Sequence, residues 1–102
     1  MSKIIHIHCG FNVHGIAIKP ANIMRREIKN KINEIFIGWN IIWNEGGWEK
    51  VEEDSAIIEI HTTPETLQAE KMNAIAFAKW YKNNYEQDCV RIKIFDAEII
   101  DI

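Results

Sequence analysis

Two stretches of the chain alternate between apolar and polar positions. The first, KIIHIHC, covers residues 3–9 and places Ile5 and Ile7 on one side, with His6 and His8 on the other. The run CVRIKIFD near the C-terminus alternates in the same way. Because successive side chains of a strand point to opposite faces, this period of two predicts strands that are buried on one face only.

The segments between these strands predict two helices and a hairpin. Residues 20–36 and 64–85 carry apolar residues at three- and four-residue spacing, and each begins with a proline, which suits the first turn of a helix. A stretch rich in Trp and Ile lies between them and predicts strands at residues 39–44 and 55–61, joined by a turn at Asn-Glu-Gly-Gly and an acidic arm. The fourth strand follows at residues 90–95.

The order strand, helix, strand, strand, helix, strand is that of a ferredoxin-like α+β domain, βαββαβ. In this fold a four-stranded antiparallel sheet has the spatial order 4-1-3-2, and both helices cover the same face. We expect the second helix to pack on the sheet through Leu67, Met72, Ile75, Ala76 and the neighbours of Trp80. Residues 1–102 are assigned to this one domain, since no linker or repeat interrupts them.

Charge and composition exclude several classes of protein. The 102 residues include 12 Lys and Arg against 15 Asp and Glu, and the formal charge of −3 argues against charge-driven binding to duplex nucleic acid or an anionic membrane. No apolar run approaches the length of a membrane span, and the N-terminus lacks the segments of a signal peptide, so a cytoplasmic location is expected. Two cysteines, Cys9 and Cys89, are interpreted as reduced thiols.

The middle and end of the chain resemble a known family. The runs IGWNIIWNEGGWE, EEDSAIIEIHT and YEQDCVRIKI are similar to those of short bacterial and phage proteins grouped as a domain of unknown function. The similarity runs from about Cys9 to Ile94, and the histidine-rich first strand departs from the family pattern. The resemblance implies the ferredoxin-like fold, allows a phage source and supplies no catalytic residue.

The sheet face that the helices leave uncovered is the predicted functional surface. If the first strand lies beside the third and fourth, alternation places seven side chains with useful chemistry there. They are His6, His8, Glu59, His61, Arg91, Lys93 and Phe95. The cations could meet phosphates while the aromatic ring stacks on a base, so this face is a predicted binding site for a small anionic or nucleotide-like ligand.

Two other roles for these histidines stay open. His6, His8 and His61 could ligate a metal, although such histidines more often line a solvated or subunit-covered sheet, so no metal and no cofactor are predicted. The same three with Glu59 as the orienting carboxylate could act in acid–base catalysis, but no nucleophile of obvious character accompanies them.

Aromatic and aliphatic side chains of the hairpin predict an interface. Trp39, Ile41, Trp43, Trp48 and Ile57 would form an apolar patch on the uncovered face that is too large to leave in water. Such side chains more often serve core or hairpin packing, but a patch of this kind predicts a homodimer.

These residues together favour binding over catalysis. We expect a small non-catalytic binding protein that acts through its open sheet face, such as a phage-type inhibitor or sequestering protein directed at a host factor or a nucleotide-like ligand. The alternative is a histidine-dependent, metal-assisted hydrolase of a phosphate-containing small molecule.

Overall fold

The structure of the protein, a computed structural model, describes residues 2–48 and 50–102, and of Trp48 it describes the backbone alone. It has a mixed α+β fold with a four-stranded antiparallel sheet, a separate two-stranded sheet and two helices. In chain order the elements are β1 (Lys3–Gly10), β2 (Asn12–Val13), β3 (Ile16–Ala17), α1 (Ala21–Ile35), β4 (Asn40–Trp48), β5 (Val51–Thr62), α2 (Leu67–Asn84) and β6 (Arg91–Asp96).

The main sheet has the order β4-β5-β1-β6, with β1 paired antiparallel to both β5 and β6. This order differs in its numbering from the predicted 4-1-3-2, because the described chain has six strands rather than four. The two additional strands, β2 and β3, lie in the segment after β1, for which a loop is predicted. The predicted element order βαββαβ is therefore incomplete.

A tight turn explains why this segment folds into a hairpin. His14 and Gly15 connect β2 to β3, and both have positive φ angles, of 50° and 79°. Two central residues with positive φ match the right-handed twist of the flanking strands, and glycine adopts this backbone conformation without steric cost. The more familiar signal for such a turn is Asn-Gly, so His-Gly in the sequence predicts a loop and not a hairpin.

Apolar side chains between the main sheet and the two helices form the core. Helix α1 contributes Met24, Ile28 and Ile32, and β1 contributes Ile5 and Ile7, all fully buried. Helix α2 buries a stripe that agrees with the predicted one only in part: Leu67 packs against the core, and Phe77 and Tyr81, the neighbours of Trp80, are buried. Its buried residues are Ala74, Phe77, Ala78 and Tyr81, whereas Met72, Ile75 and Ala76 are exposed. Both stripes have helical spacing, and the aromatic one is buried because it removes more apolar area from water.

The hairpin of β4 and β5 is longer than predicted. The two strands stay paired from Asn40↔Glu59 to Trp48↔Val51, so the predicted turn at residues 44–47 is wrong and these residues continue β4. Gly46 and Gly47 carry no side chain and pair with Glu53 and Glu52 in extended conformation. The result is a two-stranded arm that extends beyond the pairing of β5 with β1, which ends at Gly10↔Ser55. Neither helix in the described ranges is long and apolar enough to cross a membrane.

Candidate functional site

The sheet register brings the predicted open-face residues together. His6 lies opposite Glu59 on one side and Lys93 on the other, and His8 lies opposite Ile57 and Arg91. Glu59 is held by two imidazoles: His6 Nε2 is 2.7 Å from its Oε2, and His61 Nε2 is 3.0 Å from its Oε1. Hydrogen bonds from His6 and then His61 hold the pKa of the Glu59 carboxyl below its usual value.

Phe95 and His8, two other open-face residues, lie close to the group formed by His6, Glu59 and His61. Phe95 meets the ring of His6 edge-on, with ring centroids 4.9 Å apart. His8 Nε2 is buried without a hydrogen-bond partner among the described residues. Burial lowers the pKa of His8, and the charges of Lys93, His6 and Arg91 act in the same direction. His8 is therefore a neutral imidazole at neutral pH.

The histidines do not form a metal-ligand set in this arrangement. His6 and His61 both direct Nε2 to the same carboxylate. Within residues 2–48 and 50–102, no group of three or more His, Cys, Asp or Glu side chains could hold a metal ion. Cys9 is buried on the helix side, where burial raises its thiol pKa, and Cys89 is exposed, so both are free thiols.

The predicted apolar interface patch is wrong. Trp39, Ile41 and Trp43 pack against the core beneath the helices, and of the four members with described side chains only Ile57 lies on the open face. The Arg25 guanidinium lies 5.1 Å from the centroid of the Trp43 ring, which identifies its neighbour as α1. The reason is register: Trp43 pairs with the buried Ala56, not with an outward-facing residue. The prediction for Trp48 concerns a side chain outside the described part. The homodimer stays a prediction, but the apolar patch no longer supports it.

A second site, which the sequence did not predict, lies between the β4–β5 arm and the β2–β3 hairpin. It is an open cleft of about 640 Å³. Phe11, Ala17, Pro20 and Ala21 form its apolar side, and Glu45, Glu52, Glu53 and Asp54 form its acidic side. A smaller hollow of about 570 Å³ lies against the same arm, and Glu53 lines both.

The charge of this cleft is unbalanced. Its lining includes one cation, Lys19, which is 2.9 Å from Glu27 Oε1 and is therefore already paired with a carboxylate. The Tyr85 hydroxyl donates to the same carboxylate at 2.7 Å. None of the four carboxylates of the acidic side forms an ion pair with any side chain that the structure describes. The cleft thus attracts cations.

The N-terminus of α1 lies at the opposite side of the cleft, where Pro20 and Ala21 belong to its lining. The helix has no side-chain cap and no acidic residue in its first turn. The first N–H groups of a helix have no intrahelical partner and carry a partial positive charge. The cleft therefore offers an anion-accepting end opposite a cation-accepting wall.

Comparisons with known proteins identify the fold. No family model matches this chain, and no curated protein sequence matches it. A solved structure of a phage SAM lyase in complex with S-methyl-5′-thioadenosine is similar, with a TM-score of 0.65 and 15% sequence identity. The match covers 93% of this chain and 81% of that chain. At this identity the similarity shows that the two share a small α+β fold.

This similarity contradicts the predicted function. The solved structure that shares the fold is that of a lyase, which is neither the non-catalytic binding protein nor the metal-assisted hydrolase that the sequence predicts. The acidic run EEDS is the signal for the cleft in the sequence, but by itself it predicts only an acidic arm between the two strands.

Proposed function

We propose that the chain binds S-adenosylmethionine (SAM) in the acidic cleft and cleaves it to S-methyl-5′-thioadenosine (MTA). The observation that carries the proposal is the cleft itself, whose unpaired carboxylates face a hollow of about 640 Å³ in a fold shared with an MTA-bound lyase. That volume lies within the range of small-molecule pockets, about 300–1,000 Å³. The four long strands and two helices are assigned to the ferredoxin-like class on the same grounds.

The chemical features of SAM match the two ends of the cleft. Its sulfonium and ammonium groups suit the wall of Glu53 and its neighbouring carboxylates, and its carboxylate suits the uncapped N-terminus of α1. Adenine is an apolar ring with polar edges, and the side of the cleft that contains Phe11 and Pro20 provides a surface for it. The source of this SAM would be the cytoplasm, in agreement with the predicted location and a phage origin.

The reaction needs little chemical apparatus because the substrate carries its own leaving group. When the bond between sulfur and Cγ of the aminobutyrate chain breaks, its electron pair goes to sulfur and neutral MTA leaves. As that bond breaks, either an oxygen of the substrate's own carboxylate bonds to Cγ and closes a ring, or a proton leaves Cβ for a carboxylate of the cleft or for water and a double bond forms. In both cases the protein has to bind and orient the reacting atoms, which accounts for large rate gains in intramolecular reactions.

Glu53 is the carboxylate assigned to the cationic part of the substrate. It is half-buried, whereas Glu45 and Glu52 are exposed, and it alone of the four acidic side chains lines both hollows. A hydrogen bond to a charged group is worth about 1.5–3 kcal/mol, so losing the charge should cost roughly tenfold to a hundredfold in kcat/KM.

The test is incubation of purified protein with SAM, followed by chromatography for MTA and mass spectrometry of the four-carbon product. We expect MTA to accumulate with wild-type protein and about tenfold or more slowly with Glu53→Gln. Glu98→Gln, which changes an exposed glutamate of the C-terminal tail, is the matched control and should leave the rate unchanged. Absence of MTA with the wild-type protein, together with no binding of MTA in calorimetry, would refute the proposal.

A further inference from the structure

Gly10 ends β1, and the side chain of Glu53, a residue of the cleft lining, lies across it. A methyl carbon added to the Gly10 α-carbon would be 2.5 Å from Glu53 Oε1 and 3.3 Å from Glu53 Cδ. Gly10 pairs with Ser55, and Glu53 is two residues earlier on the same strand, so both lie on one face of β5. The carboxylate therefore occupies the space that a side chain at residue 10 would fill.

The backbone around Gly10 is held from the helix side. The Tyr81 hydroxyl, on α2, donates to the Gly10 carbonyl at 2.5 Å. Burial raises the pKa of this hydroxyl, and the nearby charges of Cys9, Tyr85 and Glu53 act in the same direction, so the donor stays protonated. The next residue, Phe11, donates its N–H to Asp54 O at 3.1 Å. The strand end is thus fixed on both sides.

Gln87, in the segment that follows α2, borders Gly10 on a third side. Gln87 Nε2 donates to Asn12 O at 3.3 Å, and Gln87 Oε1 would lie 3.6 Å from a methyl carbon at Gly10. The space beside the Gly10 α-carbon is therefore bordered by the side chains of both Glu53 and Gln87.

We propose that Gly10 is a positioning residue: its bare α-carbon, anchored through Tyr81, holds the Glu53 carboxylate in the cleft where the cationic part of the substrate binds. This inference rests on the proposed function for its substrate. Gly10 itself makes no contact with the reacting atoms. The role follows because Gly10 has no side chain, and the atom nearest to the position of its missing β-carbon is the carboxylate oxygen of Glu53.

The geometry allows this role to be separated from folding. Gly10 has no positive φ, so alanine fits its backbone, and the atoms that must move are the far end of Glu53 rather than backbone. Gly10→Ala should therefore fold with a Tm close to that of the wild type and still displace the carboxylate. Gly38→Ala is the matched control, because a methyl carbon there meets nothing within 4 Å.

The experiment is a double-mutant cycle between residues 10 and 53. In the wild-type background, Gly10→Ala should lower kcat/KM about tenfold, while Gly38→Ala leaves it unchanged. In a Glu53→Ala background, Gly10→Ala should have no further effect, because the group that it displaces is absent. Equal losses in both backgrounds would overturn the inference.

A second readout does not depend on turnover. In ¹³C NMR the carboxyl carbon of Glu53 should change its chemical shift in Gly10→Ala and keep it in Gly38→Ala. If the wild type fails to cleave SAM but this shift change is seen, the proposed function is refuted while the positioning of Glu53 stands. If the Glu53 signal is the same in all three proteins, the positioning role is refuted whatever the activity.

Discussion

At the scale of single residues, the register of the central strand decides which charged groups meet. β1 lies between β5 and β6, so His6 has Glu59 on one side and Lys93 on the other. The carboxylate of Glu59 lies on the open face with 22% of its side chain exposed, and two imidazoles satisfy its oxygens. An arrangement of this kind stabilises the ionised carboxylate in the folded protein.

The first prediction concerns the pH dependence that Glu59 adds to stability. Its folded pKa is below the ordinary value of 4.5, chiefly because of the hydrogen bond from His6. A depressed pKa gives a stabilisation that is complete above 4.5 and is lost as pH falls through the folded pKa. Glu59→Gln should therefore lower the free energy of unfolding by about 1 kcal/mol at neutral pH.

Urea denaturation of both proteins across the acid range measures this difference. The gap between wild type and Glu59→Gln should close as pH falls below 4.5, while Glu98→Gln tracks the wild type throughout. A gap that stays constant with pH would show that the glutamine acts through packing and not through charge.

The sequence was sufficient to predict this open-face group but not the cleft. Alternation along β1 assigns His6 and His8 to one face, and strand pairing then brings Glu59 and His61 beside them, because a period of two leaves no other choice once the neighbours are known. Glu53 lies in the cleft because the β4–β5 arm is long and because β2 and β3 form a hairpin beside it. Local periodicity in the sequence predicts neither of these two features.

At the scale of elements, the β2–β3 hairpin builds one wall of the cleft and depends on its turn. His14 and Gly15 both have positive φ, a conformation that costs an ordinary L-residue roughly 1–2 kcal/mol. Glycine avoids that cost, and asparagine tolerates the left-handed conformation better than histidine does.

The second prediction tests this turn. Gly15→Ala should lower the free energy of unfolding by about 1 kcal/mol and weaken MTA binding, because the hairpin lines the site. His14→Asn should keep or raise the stability. Thermal denaturation and calorimetric titration with MTA measure the two effects, and a Gly15→Ala protein as stable as the wild type would contradict the assignment of the turn.

In the β4–β5 hairpin, the sheet face on which the tryptophans lie decides whether they pack in the core or form an interface. Trp39 and Trp43 share a face, as their spacing indicates, but pairing of Trp43 with Ala56 turns that face toward α1. Spacing alone defines which residues are on the same side of a strand. Which side is covered depends on the partner strand.

The third prediction separates the core role of Trp43 from an interface role. Trp43→Ala should lower the free energy of unfolding by about 2 kcal/mol, less than for a fully buried tryptophan, and leave the mass in light scattering unchanged. Ile42→Ala is the matched control on the opposite face, where 43% of Ile42 is exposed, and should cost much less. A change of oligomeric mass in the Trp43 variant would restore the interface prediction.

At the scale of the whole molecule, the charge is unevenly distributed. The formal charge is −3, yet Arg25, Arg26 and Lys29 line one exposed face of α1 while the acidic wall of the cleft gathers four carboxylates. Exposed charges act on a ligand at distances within the Debye length, about 8 Å at physiological salt. A cation bound in the cleft lies within this distance of the carboxylates that line it, so their charges attract it.

The last prediction follows from this distribution and uses ligands that the protein does not cleave. Sinefungin carries an ammonium group where SAM has its sulfonium, and S-adenosylhomocysteine has a neutral thioether there, with the rest of the molecule closely matched. We expect sinefungin to bind at least about fivefold more tightly than S-adenosylhomocysteine, since one screened charge contact is worth about 1 kcal/mol. Raising the ionic strength from about 0.01 M to about 0.15 M should narrow that gap, because salt screens partly exposed charges, and Glu53→Gln should narrow it at low salt. Equal affinities at low salt, or a gap that salt does not change, would show that shape and not charge selects the ligand in the cleft.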